Sequence, residues 1–278
     1  MPPGEVSPAE AAVAEGRAAD VLGAADAPAP PKADLFGVGV SLVDPAGALA
    51  TIMAWARQRR PAIVDFMGVH GLTLAQRDAR FAEALNRFDM VACDGQPVRW
   101  ALNRWHAAGI AQRVYGPAMT IEACQAAAAQ GLPVYFYGSR VEVLERLTAR
   151  LSASIPGLKI AGAESPPFRA LTDAEKRDTV ERINSSGAAL VFIGLGCPKQ
   201  ETFAAEHRAG IRAVQLCVGA AFDIHAGLAP MAPRWMQNAG LEWLYRLGRE
   251  PRRLWRRYLV GNAQFLRLCL VRTLRARG

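Results

Sequence analysis

Short apolar runs alternate with longer amphipathic ones along most of the chain. LFGVGVSLV (35–43), PAIVDFMGVH (61–70), DMVACDG (89–95), LPVYFYGSR (132–140), LKIAGAES (158–165), AALVFIGLG (188–196) and AVQLCVGAAFD (213–223) read as strands or as strands running into loops. Between them, PAGALATIMAWARQRR (45–60), LTLAQRDARFAEALNRF (72–88), PAMTIEACQAAAAQG (117–131), VEVLERLTARLSASIPG (141–157) and TDAEKRDTVERINSSG (172–187) carry helical spacing. Pro45 suits a first helical turn, and Thr172 or Asp173 suits a cap. Strands that are apolar throughout, separated by helices, predict an α/β fold with a mostly parallel sheet covered on both faces. Ligands of such sheets bind outside the carboxyl ends of the strands. The unusual residues gather there: Gly68–His70, Asp94-Gly95, Gly138-Ser139, Gly194–Glu201 and Gly219–Asp223.

Two segments fall outside this rhythm. Residues 1–34 are rich in Ala, Pro, Gly and Glu and end in APAPPKAD, a composition expected to form a disordered tail. Residues 233–278 hold eleven arginines against two acids, Glu242 and Glu250, interleaved with Trp235, Trp243, Tyr245, Trp255, Tyr258 and Phe265. Helical segments broken near Pro251 are expected there. The domain division is therefore 1–34, 35–232 and 233–278.

Composition narrows the partners. With 278 residues, 51% of them hydrophobic, the chain can bury one sizeable core. A net charge of +8 points to an anionic partner: nucleic acid, an anionic membrane or a phosphorylated substrate. The five cysteines show no CxxC spacing and read as reduced thiols of a cytosolic protein. No signal peptide is expected, and no apolar run reaches the roughly 18 residues of a membrane span.

Several chemistries lack their signatures. There is no GxGxxG after a strand, no GxxxxGK[ST], no GxSxG and no Asp-x-Asp to hold a divalent metal. His70, His106, His207 and His225 are scattered. One polar group per strand end remains. Asp94 is either a general base or a helix cap. Arg113 holds a phosphate or is solvated. In GLGCPKQE, Gly194 and Gly196 could offer backbone N–H groups to an anion and Gln200 an amide, or Lys199, Gln200 and Glu201 merely begin a helix. Asp223 bonds a base or ribose, or caps. The arginine-aromatic segment reads as a nucleic-acid helix, as a helix on anionic lipid, or as a lid over a diphosphate; the last two are compatible.

VHGLTLAQRDARFAEALN, DMVACDGQPVRWAL, RVYGP, LPVYFYGS, ERINSSGAALVFIGLGCPKQE and VGAAFDIHAGLAPMAPRWMQNAGLEWLYRLGREPRRLWRRYL occur in this order. Together they resemble the WecG/TagA/CpsF family of bacterial glycosyltransferases, from about Leu35 to Phe265. The resemblance implies a Rossmann-like domain with a C-terminal helical, arginine-rich appendage. It implies an inverting hexosyl or N-acetylhexosaminyl transfer from a UDP-sugar to a polyprenyl-diphosphate-linked saccharide, without a metal or other cofactor. It implies work on teichoic-acid, capsule or exopolysaccharide precursors at the inner face of the plasma membrane, with no nucleic-acid partner. A homo-oligomer is left open.

The same resemblance assigns roles. Asp94 matches the general base, Arg113 an arginine near the acceptor, and Gln200 a glutamine on the donor. His70, Gly138, Ser139, Gly194, Gly196, Lys199 and Asp223 fall in the substrate site. Arg246, Arg253 and Arg256 match appendage arginines that stabilise the leaving UDP, with Arg257 the alternative to Arg256. Arg267, Arg272, Arg275 and Arg277 lie beyond that motif and are expected to attract lipid. The chain departs from the family at Thr-x-Asn, where it has Phe66-Met67-Gly68. A catalytically silent binder of UDP-sugar or lipid-diphosphate is the alternative this departure raises, and a nucleic-acid-binding protein the more distant one.

Overall fold

The computed structural model describes residues 27–275. Most of the segment expected to be a disordered tail, residues 1–26, lies outside them. The fold includes the chain from Ala27 onward, because the buried Trp55 indole donates to the Ala27 carbonyl at 2.7 Å. Strand β1, Lys32–Leu35, thus begins inside the stretch assigned to the tail.

The single strand expected over residues 35–43 is instead a hairpin. β1 pairs antiparallel with β2, Val38–Ser41, with Leu35 opposite Val38. Phe36 and Gly37 both take positive φ, 57° and 82°, as a tight two-residue hairpin turn requires. The other strands are β3 (Ala62–Met67), β4 (Met90–Cys93), β5 (Val134–Tyr137), β6 (Ile160–Glu164), β7 (Leu190–Ile193) and β8 (Val214–Cys217). The sheet order is β1-β2-β4-β3-β8-β7-β5-β6, and every pairing except β1–β2 is parallel.

Side chains alternate between two cores. Val64, Phe66, Phe136 and Phe192 face one, beneath α1 (Pro45–Arg57), α5 (Gly116–Ala129), α6 (Val141–Ser154) and α9 (Ala221–His225). Ile63, Met67, Tyr137 and Ile193 face the other, beneath α2 (Val69–Ala75), α3 (Ala79–Asn86), α4 (Gln96–His106), α7 (Asp173–Ser185) and α8 (Lys199–Glu206). The helix read over residues 72–88 is two, because the Asp78 carboxylate accepts the Phe81 N–H at 3.0 Å and starts α3 afresh. Thr172 caps α7 in a reciprocal pair with Glu175. Helix α4 corresponds to the helix that Asp94 was weighed as capping, though its extent was not read from the sequence.

From β7 the chain runs through α8 towards β8, and from β5 through α6 to the opposite edge, towards β6. β5 and β7 are neighbours, so their carboxyl ends flank a crevice where connections diverge. After β8 the appendage comprises α10 (Arg234–Asn238), α11 (Glu242–Arg249), α12 (Pro251–Trp255), a π-helical turn (Arg256–Val260) and α13 (Gly261–Arg275). Pro251 opens α12, matching the expected break. Helix α13 returns to the sheet domain: Phe265 is buried edge-on against Phe36, at 5.8 Å between ring centroids. Arg272 donates to the Asp34 carbonyl at 3.1 Å and lies over the Trp105 ring at 5.2 Å. It therefore docks the helix rather than standing free for lipid; Arg277 lies outside the described residues. Among the described residues no helix is long and apolar enough to cross a membrane.

Candidate active site

The glycines of the strand-end loops are there for close approach. A Cβ on Gly138 would meet the Gly194 carbonyl carbon at 2.8 Å, and one on Gly194 would enter the Phe222 ring at 2.3 Å. Their N–H groups are already engaged: Gly138 donates to the Glu164 carbonyl at 2.9 Å and Gly194 to the Tyr137 carbonyl at 2.8 Å. The Gly196 N–H donates to Gln200 Oε1 at 3.1 Å. The expectation that Gly194 and Gly196 present N–H groups to an anion is thus corrected: both donors are turned inward.

Gln200 is also engaged. Its Nε2 donates to the Cys217 carbonyl at 3.1 Å and to Glu201 Oε1 at 3.0 Å. It is buried, ties the β7 loop to the end of β8, and has its amide occupied on both sides. Lys199 is exposed at the start of α8 and Ser139 takes a φ of 63° beside the crevice.

Beneath this loop lies a cluster that the sequence reading missed. Asp65 of β3 and Glu201 of α8 are both buried, at 2% exposure each. Burial and the adjacent Glu201 carboxylate hold the Asp65 carboxyl well above the usual range, and burial raises Glu201 as well. The Cys197 thiol lies beside the same carboxylate, and burial raises it too. The signal in the sequence was one acid inside the apolar strand AIVDFM.

Asp94 lies at the end of β4. It does not cap α4, whose N-cap is Gly95 without a side-chain bond. Its Oδ1 is buried with no hydrogen-bond partner, while the side chain as a whole keeps 27% exposure. Burial pushes its carboxyl up to about 7; the Arg113 guanidinium opposes the rise and the Glu242 carboxylate adds to it. Arg113 is 11% exposed and not solvated. Its Nη1 donates to the Asp94 backbone carbonyl at 3.0 Å, its Nη2 to Glu242 Oε2 at 2.7 Å, and it stacks on the Tyr115 ring at 4.1 Å. Glu242, on the appendage, also accepts the Tyr115 hydroxyl at 3.0 Å. Neither Tyr115 nor Glu242 was singled out from the sequence, although Glu242 is one of only two acids in a strongly basic segment.

A cleft of about 210 Å³ opens between the strand ends and α11–α12. Asp223, Arg140, Arg246, Arg249 and Arg253 line it, beside Tyr115 and Glu242. Arg246 also faces Asp94 and favours its charged form, so basic cleft and carboxylate adjoin. Asp223 sits in α9 rather than at the strand terminus, and that helix has no side-chain cap. Arg253 is 64% exposed and pairs with Glu250 at 2.8 Å. Of the remaining expected residues, Arg256 is exposed over the Trp255 ring at 5.3 Å and stands apart from the cleft. The adjacent Arg257 is turned inward: its Nε is buried without a partner, and its charge acts on His70 and Cys197. Burial, with Arg257 adding to it, lowers the His70 imidazole to about 4, so it is neutral at pH 7. Phe66 is buried in the core under Gly116, and the space a Gly68 side chain would take is empty.

The site therefore holds a carboxylate tuned to neutral pH and, beside it, a cleft lined by four arginines. That arrangement can remove a proton from a hydroxyl and stabilise a developing anion. Among the described residues, no group of three or more His, Cys, Asp or Glu side chains is placed to hold a metal ion. The model of one protein family, described as the Glycosyl transferase WecG/TagA/CpsF family, matches residues 33–278. The chain belongs to this family of glycosyltransferases of cell-surface polysaccharide biosynthesis.

Proposed function

From that membership we propose an inverting glycosyl transfer from a UDP-sugar to a polyprenyl-diphosphate-linked saccharide, with Asp94 as general base. The reading rests above all on the buried, unpartnered Oδ1 of Asp94 beside the arginine cleft. A base with a pKa near the working pH combines a useful ionised fraction with sufficient proton affinity. Asp94 takes the proton of the acceptor hydroxyl as that oxygen attacks the anomeric carbon from the face opposite the diphosphate. The bond to the diphosphate breaks and UDP leaves. Arg246, Arg253 and Arg140 stabilise its charge, as planar guanidinium forks bind phosphate oxygens in pairs. Asp223, across the same cleft, is assigned to the nucleoside. Gln200 and the three glycines Gly138, Gly194 and Gly196 hold the loops that shape the crevice. His70 and Arg257 flank the β7 loop as neutral and cationic partners.

We assign the acceptor lipid to a membrane surface reached through α13. Leu266, Leu270 and Leu274 repeat every fourth residue and are 66%, 60% and 59% exposed, with Arg267 and Arg275 exposed on the same helix. Such a face suits the headgroup boundary of an anionic leaflet. The assigned location is the cytoplasmic face of the plasma membrane.

The test is UDP release from purified protein given a panel of UDP-sugars and a polyprenyl-diphosphate-sugar acceptor. Release that depends on both substrates and disappears in Asp94→Asn supports the reading. A second reading, a silent binder of UDP-sugar, is favoured by the apolar Phe66 and the empty space at Gly68. Tight UDP binding without release under any donor would select it.

A further inference from the structure

Arg113 and Asp94 sit side by side, yet they do not form a close ion pair. Nη1 is 3.9 Å from Asp94 Oδ1, whereas a paired guanidinium and carboxylate approach to about 2.8 Å. Nη1 instead donates to the Asp94 backbone carbonyl at 3.0 Å, and the appendage holds the other nitrogen. Glu242 Oε2 takes Nη2 at 2.7 Å, Gln237 Oε1 lies at 3.4 Å from the same nitrogen, and Tyr115 is fastened to the other oxygen of Glu242 at 3.0 Å. Both Gln237 and Glu242 come from the segment after β8, so this part of the restraint is supplied by the appendage.

Resting on the reading of Asp94 as the base, we propose that Glu242 is a positioning residue: it draws the free arm of Arg113 away from the Asp94 carboxylate and so keeps that carboxylate a competent base. Without the Glu242 carboxylate, Arg113 keeps one carboxylate neighbour within reach, Asp94, and closes on it. The paired carboxylate binds its proton less tightly and accepts the acceptor's proton poorly.

The charged and titratable groups facing Asp94 can be named element by element. Arg113 and Tyr115 come from the segment before α5, together with the Gly116 N–H; Glu242 and Arg246 come from α11. Asp65 comes from β3 and Cys93 from β4. Burial and Glu242 disfavour the charged form, while Arg113, the Gly116 N–H and Arg246 favour it. Neutralising Glu242 and neutralising Arg113 therefore push the base in opposite directions. A purely structural role for either residue has no reason to produce that opposition.

The experiment uses the full chain in four forms: wild type, Glu242→Gln, Glu242→Asp and Arg113→Gln. Two quantities are read against pH: UDP release, and the carboxyl carbon-13 resonance of Asp94, assigned by its loss in Asp94→Asn. In Glu242→Gln, the acid limb of the rate profile and the Asp94 midpoint should both fall, by about one to three pH units, with a lower plateau. In Arg113→Gln both should rise. Glu242→Asp keeps the charge on a shorter arm and should lie between wild type and Glu242→Gln. If Glu242→Gln does not fold, Arg113→Gln and Glu242→Asp decide in its place. A lower plateau with an unmoved midpoint, or shifts of the same sign in Glu242→Gln and Arg113→Gln, would overturn the proposal. If wild type releases no UDP, the reading of Asp94 as base fails, while the resonance still shows whether Glu242 controls its proton.

Discussion

Two carboxylate clusters lie at the same end of this sheet, one around Asp65 and Glu201 and one around Asp94. Both carry acids whose proton affinity is raised by burial. The first is closed: two acids at 2% exposure lie together under the β7 loop, next to the Cys197 thiol. The second has a cation beside it and keeps 27% exposure; an oxygen without a partner occurs in both, Glu201 Oε2 in the first and Asp94 Oδ1 in the second. Burial alone makes a carboxyl retain its proton. A base also needs an opening to substrate and a nearby cation that keeps its pKa within the working range. The Asp65–Glu201 pair has neither, and its geometry is that of a tie which seats the loop bearing Gln200.

The largest effect that separates the clusters should come from Asp94→Asn. Turnover is expected to fall by about 10²–10⁴-fold with UDP affinity retained, whereas Asp65→Asn, which keeps a hydrogen-bond donor, should leave turnover essentially unchanged. Steady-state UDP release and calorimetric UDP binding measure both. Equal losses in the two variants would erase the distinction. Next in size, Arg246→Ala removes the cation between the cleft and Asp94. Turnover should fall by about 10²-fold, with partial recovery in Arg246→Lys, which lacks the planar fork. An unchanged rate would move leaving-group stabilisation to Arg140 and Arg253.

Stability should sharpen the same comparison in a smaller effect. A carboxyl whose folded pKa lies above its unfolded value stabilises the fold when protonated, and that contribution is lost as pH rises through the folded pKa. For Asp94 the window runs from the ordinary value of 3.8 to about 7. Asp94→Asn should therefore gain little at pH 4 and raise Tm above pH 7. Asp65→Asn should do so with a loss in wild type that starts from the same ordinary value and extends to higher pH, since Asp65 is the more deeply buried acid. Thermal melts at pH 4, 6 and 8 read this directly; a gain that shrinks with rising pH would reverse the assigned protonation. The smallest effect is expected from chelation. Excess EDTA should leave turnover unchanged, and loss restored by Mn²⁺ or Mg²⁺ would bring a metal into the site.

Much of the sheet domain was legible because parallel strands leave a strong trace: continuous apolar runs, each followed by glycine or a polar group. β3, β4, β5, β7 and β8 all fall within the runs read as strands, and Pro251 marks a real helix start. The hairpin at Phe36-Gly37 was missed because its turn looks like two more residues of a strand. The extent of helix α4 was missed because Gln96–His106 begins at the loop motif that drew attention to Asp94. Asp94 and the basic cleft lining were visible as charged residues at strand ends and in the arginine-rich segment. Arg113 was visible as well, but its partners were not, since Glu242 lies 129 residues away along the chain. The family resemblance supplied roles that spacing alone left open between base and cap, or phosphate ligand and solvated arginine.

By itself the sequence determined the layered α/β architecture, the strand ends at which function gathers, the basic character of the appendage and the family. These follow from local periodicity and composition, which a linear reading contains. Only the tertiary structure decided that the Gly194 and Gly196 N–H groups are turned inward, and that Arg257 rather than Arg256 faces the β7 loop. It also decided that Asp65 and Glu201 are buried side by side and that Arg113 pairs with the Glu242 carboxylate instead of that of Asp94. Each of these depends on which groups are brought within about 4 Å of one another, where burial and Coulomb interaction outweigh intrinsic preference. That proximity is set by the packing of the appendage and the loops on the sheet, and no local stretch of sequence encodes it.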